Sequence, residues 1–247
     1  MKFFDADGPL MQGLSKMADL MILDLIALVC CIPIVTIGAS MTALHYMALK
    51  IVRNEEVYIV KGFFKSFKQN FRQATIIWLI QIVAMVILGL DAYIMYANPE
   101  TKPHVIMQVL FMATTLLGGC TFLFIYPVLS KFDNTIARTF RNTFIMAIMQ
   151  MPKILLMAVM WALPVIIAIF FIQVFPLVAL FGLSLPALGS AKLYNKFFKR
   201  MEDQMIAKAI AAGEIPADPG SEDEHIFSDE VIITGENSQN QRNSQNN

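Results

Sequence analysis

Residues 105–130 read VIMQVLFMATTLLGGCTFLFIYPVLS, a stretch of 26 without a charge. A helix rises 1.5 Å per residue, so about 20 apolar residues cross a hydrocarbon core roughly 30 Å thick. This run reads as a membrane span and sets the fold class. Upstream, QATIIWLIQIVAMVILGL at 73–90 is a second span, interrupted by Asp91. Downstream, residues 154–191 are 38 without one charge, about 57 Å as a helix and nearly twice the core thickness. One helix cannot use that length, so the run is expected to fold as a hairpin. Its best turn is at 173–176 (QVFP), where a polar side chain sits beside a residue that lacks a backbone donor.

The first apolar region, 17–49, is about as long but carries Asp19, Asp24 and His45 and is broken at Pro33 in CCIPIVTIGAS. It reads as another hairpin. The expected architecture is an all-α polytopic membrane protein with spans near 10–32, 36–52, 74–97, 105–130, 154–172 and 176–191, six in three hairpins. The second helix is short for a span; taken instead as a partly buried helix, it gives five crossings and moves the N-terminus outside. Asp5, Asp7, Asp19 and Asp24 are incompatible with the basic n-region and apolar core of a secretory signal peptide.

The chain is 57% apolar and only 15% charged, with 19 basic and 19 acidic residues, a composition that fits neither a disordered chain nor a nucleic-acid binder. The zero net charge is a cancellation. Residues 1–200 hold 17 Lys/Arg and 9 Asp/Glu, whereas residues 201–247 hold 2 and 10. Within the body, the connections 50–72 and 131–153 and the stretch after 191 carry 14 cations, and the opposite connections carry only Lys102. By the positive-inside rule the basic connections face the cytoplasm. The expected setting is a membrane with both termini on the cytoplasmic side. Cys30, Cys31 and Cys120 lie in apolar runs and read as small apolar residues, not as a disulfide framework.

Residues 58–72 (YIVKGFFKSFKQNFR) place Val60, Phe64, Phe67 and Phe71 on one helical face and Lys61, Lys65, Lys68 and Arg72 on another. The expectation is an amphipathic cytoplasmic helix at the interface, with phenylalanines in the acyl boundary and cations among anionic headgroups. Such a helix either fixes topology or docks a partner, with Arg138 and Arg141 of the 131–153 connection as further contacts. The segment 201–247 is expected to be a largely disordered acidic tail, because its last eleven residues (NSQNQRNSQNN) contain nothing apolar. Within the bilayer, Asp24 and His45 fall at similar depth on an antiparallel hairpin and are placed to pair, or each to snorkel separately. Asp91, followed by Tyr93 and Tyr96, reads as an interfacial anchor or as the lip of a solute path. The sequence holds no phosphate-binding glycine loop, dinucleotide fingerprint or HExxH motif. Its 17 methionines scatter among other apolar residues as filler. No catalytic, cofactor or metal residue is assigned, and the expectation is a non-enzyme.

A weak internal echo links Pro33, Gly38, Ser40 and Tyr46 to Pro186, Gly189, Ser190 and Tyr194. Gly38/Thr42 and Ala39/Ala43 form a small-residue face suited to close helix packing. Three stretches, PIVTIGASMTALHYMALKI, FFKSFKQNFRQA and SKFDN with the following RTFRNTF, together with the closing FPLVALFGLSLPALGSAKLYNKFF, resemble the YesL family of bacterial integral membrane proteins. The resemblance covers about residues 8–200; its most specific parts are Pro33, Thr36 and Gly38, Ser130–Asn134, and Arg141 with Asn142. Members of that family are often encoded beside carbohydrate ABC-transporter components and glycan-degrading enzymes. The resemblance therefore implies an accessory or regulatory role beside such a transporter and no catalytic residues. The competing reading is a small-solute transporter or channel using Asp24, His45 and Asp91; a membrane enzyme comes third.

Overall fold

The computed structural model describes residues 9–55, 58–97, 104–132 and 134–211. These form helices α1 (Pro9–Cys31), α2 (Ile37–Arg53), α3 (Ile59–Tyr96), α4 (Val105–Leu129), α5 (Ile136–Met149), α6 (Met151–Phe170), α7 (Phe175–Phe181) and α8 (Ser184–Ala211), with short 3₁₀ turns at Ile34–Thr36 and Ile172–Val174. No strand occurs among the described residues. Ile34–Arg53, Ile59–Met95, Val105–Leu129 and Met151–Phe170 are long and apolar enough to cross a membrane, and α7 with α8, bent by 43° at their junction, makes a fifth. Four or five helices thus qualify on length and composition; α1, charged by Lys16, Asp19 and Asp24, is not among them.

The α1–α2 corner explains the residues around Pro33. Pro33 has no N–H to continue α1, and the last carbonyls of α1 lack intrahelical donors. The Thr36 hydroxyl lies 2.6 Å from the Cys30 carbonyl and 2.7 Å from that of Pro33. Trp78 of α3 donates its indole N–H to the Ile34 carbonyl at 2.7 Å. Ser40 then donates to the Ala27 carbonyl at 2.9 Å, and at the far end Lys16 donates to Asn54 Oδ1 at 2.8 Å. The two helices therefore run antiparallel along their length. Asn54 closes α2 in the left-handed conformation, φ 55°, which asparagine tolerates better than most residues.

Helix α2 is the buried axis of the bundle, with every residue from Gly38 to Leu49 except Met41 buried. At Gly38 an added Cβ would stand 2.5 Å from the Ala74 carbonyl oxygen and 2.8 Å from Trp78 Cβ. Glycine is what lets α2 and α3 approach so closely. On its other side α2 packs along α8 in parallel. His45 meets Tyr194 and Arg53 meets Glu202, both pairs 149 residues apart. Phe124, Phe132, Tyr194 and Phe198 fill the space between α4 and α8, with ring centroids 4.7–6.1 Å apart, each such pair contributing about 1 kcal/mol beyond its burial.

Three expectations are corrected. Residues 58–72 are not a separate interfacial helix; α3 continues through Arg72 into the span, because nothing between 70 and 76 (NFRQATI) breaks a helix. At 38 residues it is about 57 Å long, so its basic first half projects beyond a hydrocarbon core of roughly 30 Å. The expected sixth span, 176–191, is divided at 182–183, and α8 runs on to Ala211, so residues 201–211 are helix and not tail. The connection 131–153 holds α5, with Thr139, Thr143, Met146 and Ala147 buried and Phe144, Ile145, Ile148 and Met149 exposed. Helix α5 is therefore two-faced, with one side packed on the bundle and an exposed apolar side. The turn of the 154–191 hairpin falls where expected, between Phe170 and Phe175. The tail from 212, the connection 98–103 with Lys102, and Asp133 of SKFDN lie outside the described residues.

Candidate functional site: a basic groove and a polar spine

The lysines of α3 repeat at intervals of three and four residues, which puts Lys61, Lys65 and Lys68 on one helical face. They line a groove of about 960 Å³ between α3 and α1, with Phe64, Tyr58 and Ile22 as its apolar wall and Asp19 as its one carboxylate among the described residues. Tyr58 is 84% exposed, Val60 50% and Phe64 41%, so the groove offers both apolar contact and positive charge. Phe67 departs from the expected lipid-facing row: it turns inward against Phe63, centroids 6.1 Å apart. Phe71 and Arg72 are exposed farther along α3. Arg138 is half-buried and Arg141 exposed on α5. Of the predicted interface residues, Lys61, Phe64, Lys65 and Lys68 share this one feature.

Beside the groove, the end of the bundle is tied by an ion pair that the sequence did not reveal. Arg53 donates from Nη2 and Nη1 to the two carboxylate oxygens of Glu202 at 2.8 and 3.1 Å, and from Nε to Asn195 Oδ1 at 3.0 Å. Lys131 stands 3.9 Å from the same carboxylate. Burial holds the Lys131 ammonium below the ordinary lysine range, against the pull of Glu202 and helped by the Arg53 charge. The only hint in the sequence was the weak echo that linked α2 to α8; Tyr46 and Tyr194 in that echo differ by one residue from the true register.

Within the bundle, Asp24 and His45 are both buried but do not pair with each other. Asp24 Oδ1 accepts the backbone N–H groups of Leu183 and Ser184 at 2.9 and 2.6 Å. A carboxylate from α1 thus caps the start of α8, where the chain bends from α7. Its Oδ2 and the Ser184 hydroxyl are buried without a hydrogen bond. His45 lies 3.4 Å through Nδ1 from the Tyr194 hydroxyl, with the Trp161 ring centroid at 5.7 Å. Asp91 is exposed on α3. His45 lines a cavity of about 390 Å³ between α2, α3, α4 and α6. No group of three or more metal-ligating side chains occurs among the described residues.

These features define a multi-pass helical membrane protein with a charged, partly open face at one end. Its relatives give the family. The chain is 30% identical over 159 residues to the uncharacterized protein YesL of Bacillus subtilis (strain 168), covering 64% of this chain and 72% of that protein. A family model described as a protein of unknown function, DUF624, matches residues 20–92, the stretch holding the α1–α2 corner and the basic part of α3. The chain belongs to the YesL family. No solved structure matches it.

Proposed function

We infer that this protein is an accessory or regulatory component of a bacterial carbohydrate ABC transporter in the cytoplasmic membrane, binding its partner through the exposed groove of α3. The observation that carries the reading is the groove itself: Lys61, Lys65 and Lys68 beside exposed Tyr58 and Phe64, on a helix that projects past the bilayer. Aromatic residues amid cations suit a protein partner with an acidic, partly apolar surface. The choice of a carbohydrate transporter rests on the family resemblance. A binding role also accords with the scattering of Asp24, His45 and Asp91: Asp24 meets the start of α8, His45 meets Tyr194, and Asp91 is exposed on α3.

The same reading takes α1 as a sixth crossing. The hydrogen bonds from Lys16–Asn54 to Cys30–Thr36 keep it alongside α2, and the start of α8 donates two N–H groups to one oxygen of its interior carboxylate. Both termini are then cytoplasmic, with the basic groove on that side and anionic headgroups around it. A photo-crosslinker at Lys65 in native membranes should capture a transporter subunit. Recovery of the protein alone, at full crosslinker incorporation, would refute the partner reading. A periplasmic reporter fused after Met1 should be silent with six crossings and active with five.

A further inference from the structure

The cavity behind His45 is not used by the docking reading. At about 390 Å³ it falls in the size range of small-molecule sites. His45 is 2% exposed. Its Nδ1 faces the Tyr194 hydroxyl at 3.4 Å, and its Nε2 has no hydrogen bond among the described residues. Tyr194 is itself buried, and Nδ1 is the one acceptor its hydroxyl reaches among the described residues. Donation from Tyr194 to Nδ1 leaves the proton of the neutral imidazole on Nε2. The ring edge turned away from Tyr194 is therefore a hydrogen-bond donor.

The other polar groups in the wall are already engaged. Tyr126 donates its hydroxyl to Gln81 Oε1, and the Gln81 amide N–H reaches the Phe122 carbonyl at 3.4 Å. The remaining wall is apolar and aromatic, including Trp78, Trp161 and Met85, with no carboxylate, lysine or arginine. A charged ligand would be desolvated there without compensation. At the rim, Met85 is 51% exposed and Gly119 is exposed, on α3 and α4. Both helices are membrane-spanning, so the mouth opens towards lipid.

We propose that this cavity binds a neutral, membrane-dissolved amphiphile whose carbonyl or hydroxyl oxygen accepts a hydrogen bond from His45 Nε2 and whose apolar body lies against Trp78 and Trp161. The chain has 2 tryptophans, and both line the cavity, so intrinsic fluorescence reports its occupancy. The full chain in phosphatidylcholine nanodiscs is titrated with a bromoundecanone and, separately, with bromoundecane, which has the bromine quencher but no oxygen. The ketone should quench saturably, at a half-saturation about tenfold below that of the alkane, the worth of one hydrogen bond in a site this dry. His45→Phe should erase that preference. Gly119→Phe, at a position where a Cβ meets nothing within 4 Å, should narrow the mouth and weaken quenching by both probes without disturbing the fold. Quenching that rises linearly and equally for both probes overturns the proposal, as does a ketone preference that survives His45→Phe.

Discussion

Removing the Glu202 carboxylate should be the most damaging single change at the charged end of the bundle. The side chains of Arg53 and Glu202 are 10% and 14% exposed, and the carboxylate accepts two N–H groups at 2.8 and 3.1 Å. Glu202→Met leaves a buried guanidinium with only Asn195 and brings it into unbalanced repulsion with Lys131. Breaking a buried pair from one side costs about 3–5 kcal/mol. The residual exposure puts this case near the lower end, about 3 kcal/mol, or roughly a hundredfold or more in the unfolding equilibrium. Arg53→Met should cost less, since Glu202 keeps Lys131 at 3.9 Å. In Arg53→Met/Glu202→Met both charges are gone, and the loss should fall short of the sum by about 2 kcal/mol. Reversible unfolding in mixed micelles, driven by sodium dodecyl sulfate, measures all three. Single variants within about 0.5 kcal/mol of the parent, the range of ordinary surface changes, or strictly additive losses would refute the reasoning.

Lys131 gives a pH signature. Its folded-state pKa lies below the ordinary 10.5, so between that lowered value and 10.5 the unfolded chain binds more protons and stability rises with pH. The rise is complete near 10.5, and below the lowered value Lys131 contributes no slope. The same unfolding assay in Lys131→Met should lack this rise. Gly38→Ala sets a Cβ against the Ala74 carbonyl and Trp78, 2.5 and 2.8 Å away, and should destabilise by about 1–3 kcal/mol, read as a lower thermal midpoint in detergent. Asp24→Asn keeps an acceptor for the Leu183 and Ser184 N–H groups and should be well tolerated, whereas Asp24→Leu orphans both at about 1–3 kcal/mol each. Equal damage from the two would show that the negative charge, not the cap, is what matters.

How much of this was legible follows from where the information lies. Continuous apolar runs identify spans because length against bilayer thickness is a local property; 105–130 and the 154–191 turn were placed within a few residues. Pro33 marked the corner for the same reason. The basic face of α3 was readable as a face, but not its surroundings. Periodicity put Phe67 with Phe64, yet α3 packs against the bundle over this stretch and draws Phe67 inward to Phe63. Polar partners were the least accessible. Asp24 and His45 sit at comparable depth on one hairpin, and depth left a pair and separate snorkelling both open. Each instead finds its partner on α8, about 150 residues downstream, and nothing near either residue encodes that.

The register between α2 and α8 explains why these polar contacts fall on one line. Both helices begin at a break on the same end of the bundle, run parallel at a constant offset of 149 residues, and pack a small-residue face against a helix bearing a tryptophan. Trp78 donates to the carbonyl of Ile34 just ahead of α2, and Trp161 donates to Ser190 in the second turn of α8 at 3.2 Å. Gly38 admits α3 closely, and Gly189 lies against the side chain of Met160 on α6. Where these two similar arrangements meet, neither tryptophan can fill the space between them, and the cavity at His45 is what remains. One hydrogen-bonded end at Arg53 and Glu202 and one capped end at Asp24 hold α2 and α8 in that register. A change at Glu202 should therefore alter tryptophan fluorescence at the cavity, eight residues or about 12 Å along the helix axis, while Lys65→Glu on the neighbouring groove should leave it unchanged.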